Sequence, residues 1–372
     1  MGWMIAALVA AVLILFACSA CIFAWFLPQI LRGRGGLLSG LHPKAIFMLS
    51  PEEGWIVGRG FSPHDLDLRP AYTENLQYRN GDWSQVSSPQ VGFSCLSMLA
   101  ANDVWAGTDD GFYHWDGRQW ARDASFAFPK GPFAGSSQNI VDISLPSPTE
   151  GWALSINRTD NLLHYTNGKW QVGGSLVTDA YYSMLRSISM ISANDGWAVG
   201  YHFMAHYDGT RWSLVDTPVT QHTDVEDIDL ISVKMISHDE GWVIGNTGPR
   251  YQQSSSITPK QGIILHYSRG TWGVVRTVPL ILTDLVMVSA NEGWVVGSLQ
   301  GSNTNFFHYT KGEWLPVDRP EKAPKDVVGV QPVMSIAMAS ASEGWGISEN
   351  GIYRYHNEMW STWHVRGPDE TM

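Results

Sequence analysis

The sequence predicts an all-β chain, a seven-bladed β-propeller of four-stranded antiparallel blades behind one apolar amino-terminal segment, and three observations predict it. A carboxylate stands two residues before a tryptophan seven times, at Trp55, Trp105, Trp152, Trp197, Trp242, Trp294 and Trp345. These tryptophans recur every 45 to 52 residues, the length of one four-stranded blade. A second tryptophan follows in each unit, always five residues after an aromatic: Trp83, Trp120, Trp170, Trp212, Trp272, Trp314 and Trp360.

Each unit reads as strands throughout. Ile188-Ser189-Met190-Ile191-Ser192 alternates apolar and polar residues, a turn leads into Gly196-Trp197-Ala198-Val199-Gly200, and His206-Tyr207 and Trp212-Ser213-Leu214-Val215 supply two further strands. The aromatic before the second tryptophan is Tyr78, Trp115, Tyr165, Tyr207, Tyr267, Tyr309 or Tyr355. Turn pairs such as Asn80-Gly81, Asn167-Gly168, Asp208-Gly209 and Lys311-Gly312 come after it and suit tight hairpins. The fourteen tryptophans of the two series are therefore expected to be structural pegs packed between neighbouring blades.

Two other positions recur. The carboxylates are Glu53, Asp103, Glu150, Asp195, Glu240, Glu292 and Glu343, and they read as turn residues accepting backbone N–H bonds. A calcium ring is the sharper alternative, but that ion needs about 6–8 oxygens and one carboxylate per blade does not converge. His114, His164, His206, His266 and His308 precede the second tryptophan by six residues, with Gln77 and Arg354 in the other two units. Equivalent positions radiate around a ring rather than meeting on one ion, so these are expected to be hydrogen-bonding groups, and no metal, cofactor or catalytic residue is assigned.

Charge and the amino terminus bound the rest. A net charge of −11 with no basic run argues against nucleic acid or an anionic lipid surface as partner. Ile5 to Leu31 carries no charged side chain and exceeds the ~20 residues that span a bilayer as a helix. Residues 1–32 are read as an uncleaved transmembrane signal anchor, 33–40 as a glycine-rich flexible tether and 41–372 as the propeller. Leu15-Phe16-Ala17-Cys18 resembles a lipoprotein cleavage box, although Phe16 is bulky and a basic start is missing. Arg32 and Arg34 favour the cytoplasmic side for the domain behind them, whereas apolar amino-terminal segments ordinarily export a domain and long domains translocate largely regardless of charge; the expectation is a propeller outside the cytoplasm. Cys95 is the one cysteine of the propeller and forms no intrachain disulfide there.

The strings DGWAVG at 195–200, EGWVIG at 240–245 and EGWVVG at 292–297, each with an HY-x4-W hairpin after it, resemble the repeats of photosystem II stability/assembly-factor-like propellers and of the wider sialidase-type BNR superfamily. The resemblance covers about 320 residues. It implies a seven-bladed propeller, usually exported, that acts as a binding or assembly platform. Asp208-Gly209-Thr210-Arg211-Trp212 departs from the Asp-box, being one residue shorter between Asp and Trp and lacking the leading Ser/Thr. No arginine triad, tyrosine nucleophile or acid pair of a sialidase can be matched.

The function expected is a non-catalytic, membrane-anchored platform for a protein or a surface glycan. The alternative is a glycan-active hydrolase or lyase with a site built from unlike loops on one face. Lys234, Asp284 and His238 are candidates for unlike polar residues at the channel mouth. The links Arg59–Asn75 and Asn246–Gly262, and the inter-blade stretches Ala121–Asn139, Gln171–Ser187 and Asp216–Ile231, are long and unlike one another. They are expected to share one face and to carry specificity there.

Overall fold

The computed structural model describes residues 41–60, 74–128, 139–156, 161–176, 185–219, 228–247, 261–298, 304–317, 332–349 and 351–363. Their contacts form one compact unit, Gly40–Arg366; a second unit, Met1–Ser39 with Gly367–Met372, lies outside the described residues. The transmembrane reading of 1–32 and the tether 33–40 therefore fall outside them as well. Among the described residues no helix is long and apolar enough to cross a membrane.

Seven four-stranded antiparallel sheets succeed one another, each built from four consecutive strands. Blades 1 to 7 run Leu41–Ser87, Cys95–Arg122, Ile140–Gly174, Leu185–Val215, Ile228–Val278, Ile281–Val317 and Val333–Trp363. Asn80 and Gly81, at φ 57° and 86°, and Asn167 and Gly168, at 51° and 78°, turn with two successive left-handed residues, the geometry that matches strand twist in a two-residue hairpin.

The apolar core lies between sheets. Trp197 and Val199 of blade 4 pack with Val233, Val243, Ile263 and Leu265 of blade 5, and equivalent clusters fill the seams on either side. Trp55, Trp242, Trp294 and Trp345 are 0 to 2% exposed. Blade 7 meets blade 1 without exchanging a strand, since the first four strands and the last four form separate sheets. Closure rests on packing: Trp345 lies 4.9 Å from Tyr78 and 5.4 Å from Trp83 between ring centroids.

The first strand of every blade lines the central channel, and in six of the seven it departs from regular pairing at a recurring place. Pro43 pairs with Gly58 and Ala45 with Val57, leaving Lys44 bulged out; the same skip leaves out Val141, Arg186, Ile231, Thr283 and Met334 in blades 3 to 7. This bulge explains the last glycine of the GWxxG strings. A Cβ on Gly245 would stand 2.8 Å from the Asp229 carbonyl oxygen, and one on Gly58 would overlap the His42 carbonyl. The glycine before the leading tryptophan is explained by a methionine that lies on it: Met48, Met190, Met235, Met287 and Met338 occupy the space a side chain would take at Gly54, Gly196, Gly241, Gly293 and Gly344.

Candidate functional site

The recurring polar residues assemble into a clasp inside each blade. The histidine of the third strand lies directly opposite the leading tryptophan of the second, as in Trp242↔His266, and the carboxylate two residues earlier shares that face of the pleat. The imidazole therefore stacks on the indole, 4.1 Å between centroids for Trp242–His266 and for Trp294–His308. Its Nε2 donates to the carboxylate: His114 to Asp103 at 2.7 Å, His164 to Glu150 at 3.0 Å, His206 to Asp195 at 2.9 Å, His266 to Glu240 at 2.5 Å, and His308 to Glu292. Gln77 donates to Glu53 at 2.9 Å, and the Arg354 guanidinium donates to Glu343 at 2.6 Å while lying over Trp345.

This corrects the expectation for the carboxylates. They accept from side chains of the third strand rather than from turn N–H groups. The turn is closed instead by serines at the end of the first strand, where Ser50, Ser192, Ser237, Ser289 and Ser340 accept from the N–H two residues on at 3.1 to 3.3 Å. Asp208 belongs to a different turn. Its carboxylate accepts from the Thr210 hydroxyl and from the Arg211 and Thr210 N–H groups, which hold its pKa at about 2.

The tryptophans act between blades. Each leading ring meets both aromatics of the next blade: Trp55 with Trp115 and Trp120, Trp105 with Tyr165 and Trp170, Trp152 with Tyr207 and Trp212, Trp197 with Tyr267 and Trp272, Trp242 with Tyr309 and Trp314, Trp294 with Tyr355 and Trp360. The second tryptophans approach edge to face, at 73° to 87°. Most of these indole N–H groups are buried without a hydrogen-bond partner among the described residues.

The three suggested mouth residues separate. His238 lies on an exposed turn, and its Nδ1 is 2.6 Å from Asp195 of the preceding blade. Lys234 and Asp284 both line the central channel, a cavity of about 550 Å³, with Asp142. Asp142 carries no repeat signal of its own in the sequence, and it sits at the same register as Asp284, opposite the residue two after the leading tryptophan. Both carboxylates fasten seams. Asp142 accepts from the Ile188 N–H at 2.9 Å, and Asp284 from the Ile336 N–H at 3.0 Å and the Ser335 hydroxyl at 2.8 Å. Ser144, Ser187 and Ser189 accept in the same way from Met190, Val233 and Met235. The inner edge strands, whose outward N–H groups have no strand to pair with, are thus tied blade to blade. Burial pushes the Asp142 and Asp284 carboxyls above the ordinary carboxylate value, and the Lys234 ammonium opposes that rise.

Among the described residues no three His, Cys, Asp or Glu side chains gather as a metal site. Cys95 is buried, and its thiol donates to the Ile140 carbonyl. The long links Arg59–Asn75 and Asn246–Gly262 are described only at their ends, as are the three inter-blade stretches; residues 61–73 and 248–260 lie outside the described residues.

The seven-bladed β-propeller of four-stranded blades is a fold shared with several solved structures. YCF48 bound to D1 peptide is similar over 87% of this chain and 95% of its own, with 16% identity and a TM-score of 0.55. YCF48 from Cyanidioschyzon merolae matches over 86% and 97%, at 14% identity and a TM-score of 0.54. AFV00434, an ancestral GH74 enzyme, matches over 89% of this chain and 47% of its own, at 10% identity and a TM-score of 0.64. No family model matches the sequence, and no curated protein matches it.

Proposed function

We propose that this chain is a non-catalytic, membrane-anchored β-propeller that holds a protein partner outside the cytoplasm, through the face from which its long links emerge. The observation that carries the reading is how the recurring chemistry is spent. The carboxylates and histidines close clasps within blades, the tryptophans fill seams, and Asp142 and Asp284 tie seams together, so the recurring side chains serve the scaffold. Specificity then belongs to what differs between blades, namely the links joining second to third strands and one blade to the next. Alternate reversals in an antiparallel sheet put both classes on one face. YCF48, solved with a peptide, supports a propeller of this fold as a protein binder.

The second reading, a glycan-active hydrolase or lyase, draws on the similarity to the ancestral GH74 enzyme. Cross-linking and recovery of the full-length protein from its native membranes, beside a glycan-hydrolysis panel, separates the two. The same protein partner recovered in replicate with no hydrolysis is expected; turnover of any glycan, lost in a variant of the long links, overturns the platform reading.

A further inference from the structure

We propose that the central channel binds a small oxyanion, a carboxylate or a phosphate, between Lys44 and Lys234. The channel has the volume of a small-molecule site, which commonly falls at about 300–1,000 Å³. Its lining separates into positions that repeat and positions that do not. The repeating ones are the serines and aspartates that bind the seams, and the methionines against the glycines. The bulged positions do not repeat: Lys44, Val141, Arg186, Ile231, Thr283 and Met334 differ across the six blades that share the bulge. All six line the channel, as expected where a bulge re-aims a side chain out of the pleat. Lys234 is the one charged residue at its register, opposite Trp242, where other blades carry Phe47, Ser97, Ser144 and Val286.

The sign of the ligand depends on which groups are still free to bond. Asp142 and Asp284 each receive backbone N–H groups on both oxygens, from their own blade and from the next. Arg186 is held by Asp229 through two bonds at 3.0 and 3.2 Å, and the Thr283 hydroxyl donates to the Val333 carbonyl at 2.9 Å. Lys44 and Lys234 make no hydrogen bond or ion pair among the described residues. Two ammonium groups with their donors unspent accept oxygens of an anion, whereas a cation would find the carboxylates already engaged. Asp142 and Asp284, close enough to feel the Lys234 charge, oppose an anion, so its binding depends on both ammonium groups engaging it.

Isothermal titration of the full-length protein, in detergent and at low ionic strength, with inorganic phosphate and with citrate tests this. Saturable binding of one probe is expected, and which one binds distinguishes a phosphate from a carboxylate ligand. Lys234→Gln should weaken it about tenfold, one charge-assisted bond, and Lys234→Arg should restore it with the melting temperature unchanged. If Lys234→Gln disturbs folding, the exposed Lys44→Gln decides, with weaker binding expected. Binding of neither probe, or undiminished binding by the Lys44→Gln/Lys234→Gln double variant, overturns the proposal.

Discussion

Trp345 of blade 7 meets Trp83 of blade 1 edge to face, with ring centroids 5.4 Å apart at 87°. The contact repeats the one that every other leading tryptophan makes with its successor, so the seam between the chain's last and first blades is packed as tightly as the rest although no strand crosses it. Loss of that seam opens the ring. Trp345, fully buried, should cost about 3–5 kcal/mol as Trp345→Ala. Deleting residues 356–372 should abolish the cooperative melt of the whole domain. Near-UV circular dichroism checks both, and a truncated protein that melts in two separate steps would speak for an open solenoid instead.

Burial of the indoles without oxygen acceptors separates their packing from their polarity. Trp294 is 1% exposed, and its Nε1 lacks an acceptor among the described residues. Trp294→Ala should lose about 3–5 kcal/mol, whereas Trp294→Phe should lose clearly less, because no partner is left unsatisfied at the usual further cost of about 1–3 kcal/mol. Denaturant midpoints of the two variants measure the difference. Equal losses would mean that the N–H contributes a bond.

The bulge makes a sharp contrast between two strand glycines. Gly245→Ala places a Cβ 2.8 Å from both the Asp229 carbonyl oxygen and Leu230, while a Cβ on Gly273 meets nothing within 4 Å. The first substitution should cost about 1–3 kcal/mol as overpacking, and the second should be neutral to slightly stabilising. Thermal melts of the pair decide it; a tolerated Gly245→Ala would show that the first strand is free to slide.

His238 should titrate above its ordinary 6.5, first through its hydrogen bond to Asp195 and then through the charges of Asp195 and Asp239. A folded-state pKa raised in this way contributes stability below the unfolded pKa and loses it as pH rises through the folded one. The His238–Asp195 contact between blades 4 and 5 should thus be slightly firmer in mild acid than in mild alkali. Proton NMR titration should show the His238 pKa falling in Asp195→Asn. An unchanged value would assign the shift to another group.

Blade number, strand order and the inter-blade role expected of the tryptophans were legible because they recur at fixed offsets. The clasp was not, and the reason is geometric. Asp103 and His114 are 11 residues apart, but Glu240 and His266 are 26 apart, since the link between second and third strands varies in length. Only strand register reveals that they are the same contact. The bulged positions are hidden for a similar reason, because a skipped pairing leaves no mark in composition. The methionine that stands seven residues before six of the leading tryptophans, from Met48 and Trp55 to Met338 and Trp345, was available as a fixed offset and goes unnoticed beside the stronger aromatic signal. Asp142 and Asp284 read as ordinary strand aspartates until the channel places them together.

Partner capture by two folded variants tests the platform reading most directly. One replaces residues 248–260 with a short Gly-Ser turn; the other carries His238→Ala and Asp239→Asn on the opposite, short-turn face. Loop shortening changes stability little, roughly 0.6 kcal/mol per doubling of length, so the first should melt near the parent temperature, and the second, which gives up only the exposed His238–Asp195 contact, slightly below it. The account predicts that cross-linked recovery of the partner falls in the first variant and stays at the parent level in the second. Recovery lost only in the second, or unchanged in both, would contradict it.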